Sequence, residues 1–293
     1  MRISIKSIAL VSALLTRPLG NLPPQAQAAE NQYGQWTSGN ADSAPIAAPS
    51  MKAFEYSPAN GFKGTDFVCG ESRIPYRIFI PEGKAPIGGF PLILFFHGMG
   101  SIGHDNVQNL KLAGRLGDAE FQKAHPCYVL VPQCHEDKRW VTATWSDAKQ
   151  KFQQNPTEPM ALALQLLMKT LETYPIDRNR IYVGGASMGG FATWDILSRQ
   201  PDLFAAAFPI CGGGDLTNSQ RISHVPVWVF HGARDTTVLP SSSREMVAAL
   251  RASGGFPRYT EYPDVEHNSW ERALAMPELF DWLFEQRLKC SGK

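Results

Sequence analysis

The sequence predicts an α/β domain: a mainly parallel sheet flanked by helices on both faces. Three observations lead there. Several short runs are almost continuously apolar, among them PLILFFHG, CYVLVPQC, RIYVGGAS, AAAFPICGG and VPVWVFHG. Strands buried on both faces of a parallel sheet read this way, because neither side of the pleat meets water. Stretches with helical spacing lie between those runs. The two kinds alternate, as parallel strands require, since each return to the same end of the sheet needs a crossover.

The elements follow in chain order. Residues 1–28 read as a signal peptide: Arg2 and Lys6 are basic, Ile8 to Leu15 is a short apolar run, and Ala26-Gln27-Ala28 is a small-x-small cleavage site. This implies a secreted or periplasmic protein cut after Ala28 or Ala29. The run is too short to span a bilayer, and no later segment reaches about 18 apolar residues. Residues 29–61 are rich in Ala, Ser, Pro, Asn and Gly without an apolar period, and read as a flexible arm or linker. A single domain is expected over 62–293.

That domain opens with two short strands, DFVCG and YRIFIPE, and continues through the apolar runs. EPMALALQLLMKTLETY is a helix, with Pro159 near its start and Leu162, Leu166 and Leu167 on one face. MGGFATWDILSRQ is a second, ended by Pro201. SSSREMVAALRASGG reads as a helix with a serine cap and a glycine stop. RYTEY is a short strand, and PELFDWLFEQRLK closes the chain.

Composition excludes some functions. With 293 residues, 19% charged and a net charge of +1, the chain has no basic face for nucleic acid. Five cysteines leave at least one thiol unpaired. Cys127 and Cys134 flank a strand; seven extended residues span about 23 Å, whereas a disulfide needs Cα atoms about 5.5 Å apart. Mostly buried free thiols are expected, and no Cys or His cluster suggests a metal.

In a parallel sheet, sites form beyond the carboxyl ends of the strands. Ser187 lies there, in Gly185-Ala186-Ser187-Met188-Gly189, between RIYVGG and a helix. This G-x-S-x-G turn holds a serine in strained backbone and presents it at a helix N-terminus. A serine hydroxyl needs a base. Asp235, in ARDTT, and His267, in PDVEHNSW, sit at later strand exits, in the order Ser, Asp, His. Asp215 and Asp264 are rival acids: one follows a strand, the other lies three residues before the histidine. The oxyanion donors are expected to be the backbone N–H groups of Met188 and Met99. His97 and His231, each before a glycine at a strand end, read as structural.

These pieces resemble the α/β-hydrolase superfamily. They resemble most closely the secreted esterase-like proteins often labelled predicted peptidases, related to feruloyl and acetylxylan esterases and polyhydroxybutyrate depolymerases. The segments that carry the resemblance are HGMGSIGHDN, VLVPQC, DRNRIYVGGASMGGFATWD, PDLFAAAFPICGGGD, VWVFHGARDTTV and EHNSW, covering nearly all of 62–288. The resemblance implies a Ser187–Asp235–His267 triad, and a triad mechanism requires no metal and no cofactor. One departure stands out: the loop after His97-Gly98 has Ser101 and Ile102 where the family pattern carries an acidic and a basic residue.

The short stretch between Cys211 and Val225 has no room for an inserted cap domain, so an open site is expected. An open site suits bulky or polymeric esters. The long irregular stretch from His135 to Glu158 carries Trp140 and Trp145, and Trp270 follows His267 by three residues. Trp145 and Trp270 are candidates to stack on an acyl group or a sugar. The expected activity is hydrolysis of carboxylic esters through an acyl-enzyme. An amidase or peptidase on the same triad is the alternative.

Overall fold

The computed structural model describes residues 50–51, 56–145, 147 and 149–288. The expected signal peptide and most of the expected arm lie outside the described residues.

The chain enters the sheet earlier than its composition suggests. Within the segment read as an arm, β1 (Ser50–Met51) and β2 (Tyr56–Ala59) both pair antiparallel with β3 (Phe62–Cys69). Backbone hydrogen bonding recruits these residues, and it needs no apolar period. A tight turn at Gly70 (φ 60°) leads to β4 (Ser72–Phe79), which pairs antiparallel with β3.

The remaining strands are β5 (Phe90–Phe96), β6 (Tyr128–Pro132), β7 (Ile176–Ala186), β8 (Ala206–Ile210), β9 (Trp228–Gly232) and β10 (Arg258–Tyr262). Among the described residues the sheet runs β1-β3-β4-β6-β5-β7-β8-β9-β10. The six strands from β6 to β10 are mutually parallel, and β4 joins β6 antiparallel. Ile93 lies opposite Val129 on one side and Tyr182 on the other. Every residue of β5 is buried, which accounts for its unbroken apolar run.

Side chains alternate across each strand, so the two faces can be read separately. Ile93, Phe95, Val129, Tyr182, Phe208 and Phe230 belong to one core cluster. Helices α1 (Leu110–Ala113), α7 (Trp270–Leu274) and α8 (Pro277–Glu285) contribute to it, and α2 (Ala119–Ala124) packs Phe121 against it. The alternate residues Leu92, Leu94, Phe96, Ile181 and Val183 are also fully buried. On this second face lie α3 (Glu158–Thr173), α4 (Met188–Arg199) and α6 (Ser241–Ala252). Each large apolar side chain fully removed from water contributes about 1.5–3 kcal/mol, so two full layers favour this arrangement.

Local signals set some of the helix ends. Thr157 caps α3 by accepting from the Met160 N–H, and Pro159 stands in the first turn. The serine cap expected for α6 is not formed. Pro240 occupies the N-cap position, Ser241 opens the helix, and no side chain caps it. Ser243 is instead fully buried, its hydroxyl 2.7 Å from His231 Nδ1 and 3.1 Å from Gly212 O. The glycine stop is present: Gly254 has φ +81°, and the Gly255 N–H returns to Leu250 O.

Between β8 and β9 the chain forms only a 3-10 turn (Leu216–Asn218) and α5 (Ser219–Ile222). No cap domain is inserted there. Among the described residues, Cys69, Cys127, Cys134 and Cys211 are free thiols, the last three buried; Cys290 lies outside. No helix among the described residues is long and apolar enough to cross a membrane.

Candidate active site

Ser187 sits between β7 and α4 with no intervening loop. Its backbone takes φ 57° and ψ −120°, a region that costs a non-glycine residue about 1–3 kcal/mol. The surroundings hold it there. The Ser187 N–H donates to Ile210 O on the neighbouring strand at 3.0 Å, and Ser187 O accepts from Gly190 and Phe191. The small neighbours are required by space. A Cβ on Gly185 would lie 2.6 Å from Phe96 O, and one on Gly189 would overlap that same oxygen. The turn is sharp because α4 must start directly against the end of β5.

Asp235 follows β9, and His267 follows β10. Their loops are tied together by backbone: Ala233 N–H donates to Tyr262 O at 2.9 Å, and Arg234 N–H to Val265 O at 3.0 Å. Gly232 makes this approach possible, since a Cβ there would run into the carbonyls of Val265 and Glu266. Parallel pairing of β9 with β10 therefore delivers the two side chains to one place.

The three side chains form a chain of hydrogen bonds. The Ser187 hydroxyl lies 2.8 Å from His267 Nε2, and His267 Nδ1 lies 2.7 Å from Asp235 Oδ2. Asp235 Oδ2 faces only acceptor capacity toward Nδ1, so Nδ1 carries the proton and Nε2 is free to accept from serine. Asp235 Oδ1 accepts from the Thr237 and Val238 N–H groups, both at 2.9 Å. A second histidine, His231, places Nε2 3.2 Å from Oδ2. Burial alone would raise the Asp235 carboxyl. Hydrogen bonds from His231, His267 and the Val238 N–H outweigh it and hold the group well below the usual carboxylate range.

The rival acids are used elsewhere. Asp215 accepts from Thr217 and from the Phe152 N–H, pinning the 150–152 segment. Asp264 is exposed and paired with Arg272 at 2.6 Å.

The opposite side of Ser187 is built from the chain after β5. Gly98 is close enough that a Cβ on it would lie 3.4 Å from Ser187 Cβ and 4.0 Å from its Oγ, which brings the chain just before Met99 up to Ser187. Met99 opens a 3-10 turn and Met188 opens α4. The first N–H groups of a helix lack intrahelical acceptors, so both are free to meet an anion. The Gly98–Met99 peptide is held in orientation. His97 Nε2 accepts from the Cys134 N–H at 3.0 Å, so Nδ1 carries the ring proton and donates to Gly98 O at 2.8 Å. Burial, stronger than the bond to Gly98 O, pushes His97 down to about 4, so the ring is neutral at pH 7.

Trp140 is fully buried and donates its indole N–H to His97 O at 3.1 Å; it supports the loop. Trp145 is half-buried, its ring edge-on to Phe191 with centroids 4.8 Å apart, one turn along α4 from Ser187. Trp270 stands edge-on to the His267 ring at 5.2 Å. Ser101, at the family departure, is buried, and its carbonyl accepts from Gln133 at 3.2 Å.

Among the described residues, one group could offer three ligand atoms to a metal: Cys211, Asp235 and His267, all within 4.8 Å of one another. Asp235 and His267 are already bonded to each other, and burial pushes the Cys211 thiol up to about 12. The group is accounted for as a hydrogen-bonded triad with a neutral thiol packed behind it.

Residues 87–280 match the phospholipase/carboxylesterase family. This chain belongs to that family. Within it, 144 residues are 31% identical to an AB hydrolase superfamily protein of Schizosaccharomyces pombe, covering 47% of this chain and 36% of that one. A stretch of 137 residues is 26% identical to poly(3-hydroxyalkanoate) depolymerase C of Paucimonas lemoignei, covering 36% and 33%. The chain thus spans about a third of the length of these curated relatives. The crystal structure of a thermostable esterase superposes with a TM-score of 0.71 at 38% identity, over 78% of this chain and 64% of that one. An acetyl xylan esterase from Paenibacillus sp. R4 shares the α/β-hydrolase fold, with a TM-score of 0.57 at 14% identity over 90% and 92% of the two chains.

The residues that sequence reading undervalued are supporting ones. His231 was legible only as a histidine before a glycine, yet it reaches the carboxylate of Asp235. Gly232 carried no signal beyond its strand-end position. Trp140 read as one tryptophan in a long loop, and only packing shows that it braces His97.

Proposed function

We propose that this chain is a serine hydrolase that cleaves carboxylic esters through an acyl-enzyme. One observation carries the reading: the strained Ser187 hydroxyl lies 2.8 Å from a histidine whose other nitrogen is bound to a buried carboxylate at 2.7 Å. In the proposed reaction Ser187 Oγ attacks the ester carbonyl, and His267 Nε2 takes its proton. The negative oxygen that forms is stabilised by the Met188 and Met99 N–H groups, each worth about 10²–10³ in rate in comparable sites. His267 then protonates the leaving alcohol. Water attacks the acyl-enzyme with His267 again as base, and Ser187 is regenerated. Asp235 stays ionised throughout, orienting the imidazole and stabilising its charged form. No step calls for a metal or cofactor.

Bulky or polymeric esters are the proposed substrates. The absence of a cap between β8 and β9 supports this, as does similarity to a poly(3-hydroxyalkanoate) depolymerase and, at 26% identity over 165 residues, to a bifunctional acetylxylan esterase/xylanase of Neocallimastix patriciarum. Trp145 and Trp270 are the proposed stacking surfaces for an aromatic acyl group or a sugar. The basic, apolar and small-residue pattern of residues 1–28 supports export, with a mature N-terminus at Ala29 or Glu30.

Labelling with a fluorophosphonate probe, repeated on Ser187→Ala, tests the mechanism. Labelling and ester hydrolysis should both vanish in the variant; undiminished activity would overturn the reading. A panel of acetyl, feruloyl and hydroxyalkanoate esters defines the acyl group. Matched ester and amide substrates separate esterase from peptidase action.

A further inference from the structure

His231 is fully buried, yet both of its ring nitrogens are engaged. Nε2 lies 2.9 Å from Val238 O and 3.2 Å from Asp235 Oδ2. Both of those atoms only accept, so Nε2 carries a proton whatever the charge of the ring. Nδ1 lies 2.7 Å from the Ser243 hydroxyl, which is also 3.1 Å from Gly212 O. That hydroxyl can give its proton to Nδ1, or take one from it and donate to Gly212 O. The network is therefore satisfied, and the one Nε2 proton is shared between Val238 O, the nearer partner, and Asp235 Oδ2.

Asp235 Oδ2 thus faces two histidine donors, His267 Nδ1 at 2.7 Å and His231 Nε2 at 3.2 Å, while Oδ1 accepts two backbone N–H groups. An ionised carboxylate has about four lone-pair directions, and here all four are used. The site is only 3% exposed, so water does not refill a vacated position. We infer that His231 is a positioning residue for the ester hydrolysis proposed above: it acts through Asp235, fixing Oδ2 in the direction that His267 Nδ1 requires. The inference rests on that reading of the triad. Asp235 has no vacant direction for a proton of its own, so it remains a charged anchor while His267 gains and loses one.

A purely structural role, fastening the 235–238 turn through Val238 O, would cost stability and leave the kcat of folded protein unchanged. Two substitutions separate them. In His231→Gln the amide nitrogen falls near the place of Nε2, keeping a donor for Asp235 and losing the Ser243 contact. In His231→Asn it falls near the place of Nδ1, keeping Ser243 and leaving Oδ2 one donor short. His231→Asn loses both Nε2 contacts, to Val238 O and Asp235 Oδ2, and His231→Gln only the Ser243 contact, so His231→Asn should unfold at the lower temperature and kcat is compared on the folded fraction of each. On ester turnover, His231→Asn should lose about tenfold or more in kcat, with KM within about twofold, while His231→Gln stays within about threefold of wild type. Equal kcat in the two variants would overturn the inference.

The wild-type protein supplies a second readout that does not depend on either variant folding. With ¹⁵N-labelled histidine, NMR should show His231 protonated at Nε2, and that signal should shift together with the His267 Nδ1 proton when a boronic acid occupies Ser187. An unprotonated Nε2, or a signal unmoved by the boronic acid, would also overturn it. Ser187→Ala serves as the control. Full activity there sinks the triad reading and this inference with it. Loss there, combined with equal kcat in the two His231 variants, sinks only the role of His231.

Discussion

Replacing Asp235 by Asn tests the site through proton positions rather than bulk. The carboxylate meets four donors: the Thr237 and Val238 N–H groups on Oδ1, and two histidine nitrogens on Oδ2. Asparagine brings one carbonyl oxygen and one NH₂. The two backbone donors, each at 2.9 Å, cannot turn away and claim the oxygen. The NH₂ then faces His267 Nδ1, which can bond to it only by offering a lone pair. The ring proton moves to Nε2, which points at Ser187 Oγ. A histidine in that tautomer cannot take the serine proton. If the effect were only one weakened hydrogen bond, the loss would be ~1 kcal/mol, about fivefold in rate. A wrong tautomer predicts a fall in kcat of about 10⁴-fold, ~5.5 kcal/mol of barrier. Initial rates on p-nitrophenyl acetate measure it, with fluorophosphonate labelling slowing in parallel and thermal unfolding showing that the fold is kept. A folded variant with kcat within about tenfold of wild type would refute the reasoning.

Three further predictions follow from the same geometry. His97, pushed from 6.5 down to about 4 by burial, refuses a proton that the unfolded chain binds between those values, so its contribution to stability is full above pH 6.5 and is lost as pH falls toward 4, ~3 kcal/mol in all. Urea unfolding at pH 7 and 4.5 should show this slope, and a slope unchanged in His97→Asn would rule it out. Gly189→Ala should destabilise by at least ~3 kcal/mol although alanine is the better helix former, because its Cβ overlaps Phe96 O; Gly100→Ala, with nothing within 4 Å, should stay within ~0.5 kcal/mol. Differential scanning calorimetry compares the pair, and similar melting temperatures would contradict the packing argument. Trp145→Ala and Trp270→Ala should raise KM for a feruloyl ester by about two- to tenfold and leave an acetyl ester nearly unaffected, the range of an aromatic stacking contact; equal changes on both esters would remove the stacking role.

Much of this molecule was legible from local pattern. Unbroken apolar runs marked β5, β7 and β8 because strands covered on both faces have no polar side. The G-x-S-x-G turn announced itself because only small residues fit where α4 starts against β5. Strand exits pointed to Asp235 and His267 for a topological reason: parallel strands deliver all their exits to one edge of the sheet. Where reading failed, the interaction was non-local or purely backbone. β1 and β2 form by pairing with β3, which leaves no trace in side-chain period. The serines before α6 looked like a cap, but Ser243 is drawn into the core by His231 and Gly212, partners far away in sequence.

Residue types and their order were enough to give the fold class, the absence of a cap between β8 and β9, and a serine, acid and histidine that could meet. These depend on residue type and order, which are written in the chain. Packing settled which acid meets His267, because Asp215 and Asp264 are carboxylates too and are set apart by what surrounds them. It also decided the tautomers of His97 and His267, since a ring proton goes where the partner atoms are, and those partners come from Cys134, Gly98 and Asp235. His231 gained its place against the carboxylate the same way: a histidine before a glycine says nothing about direction until β9, α6 and the Asp235 turn close around it.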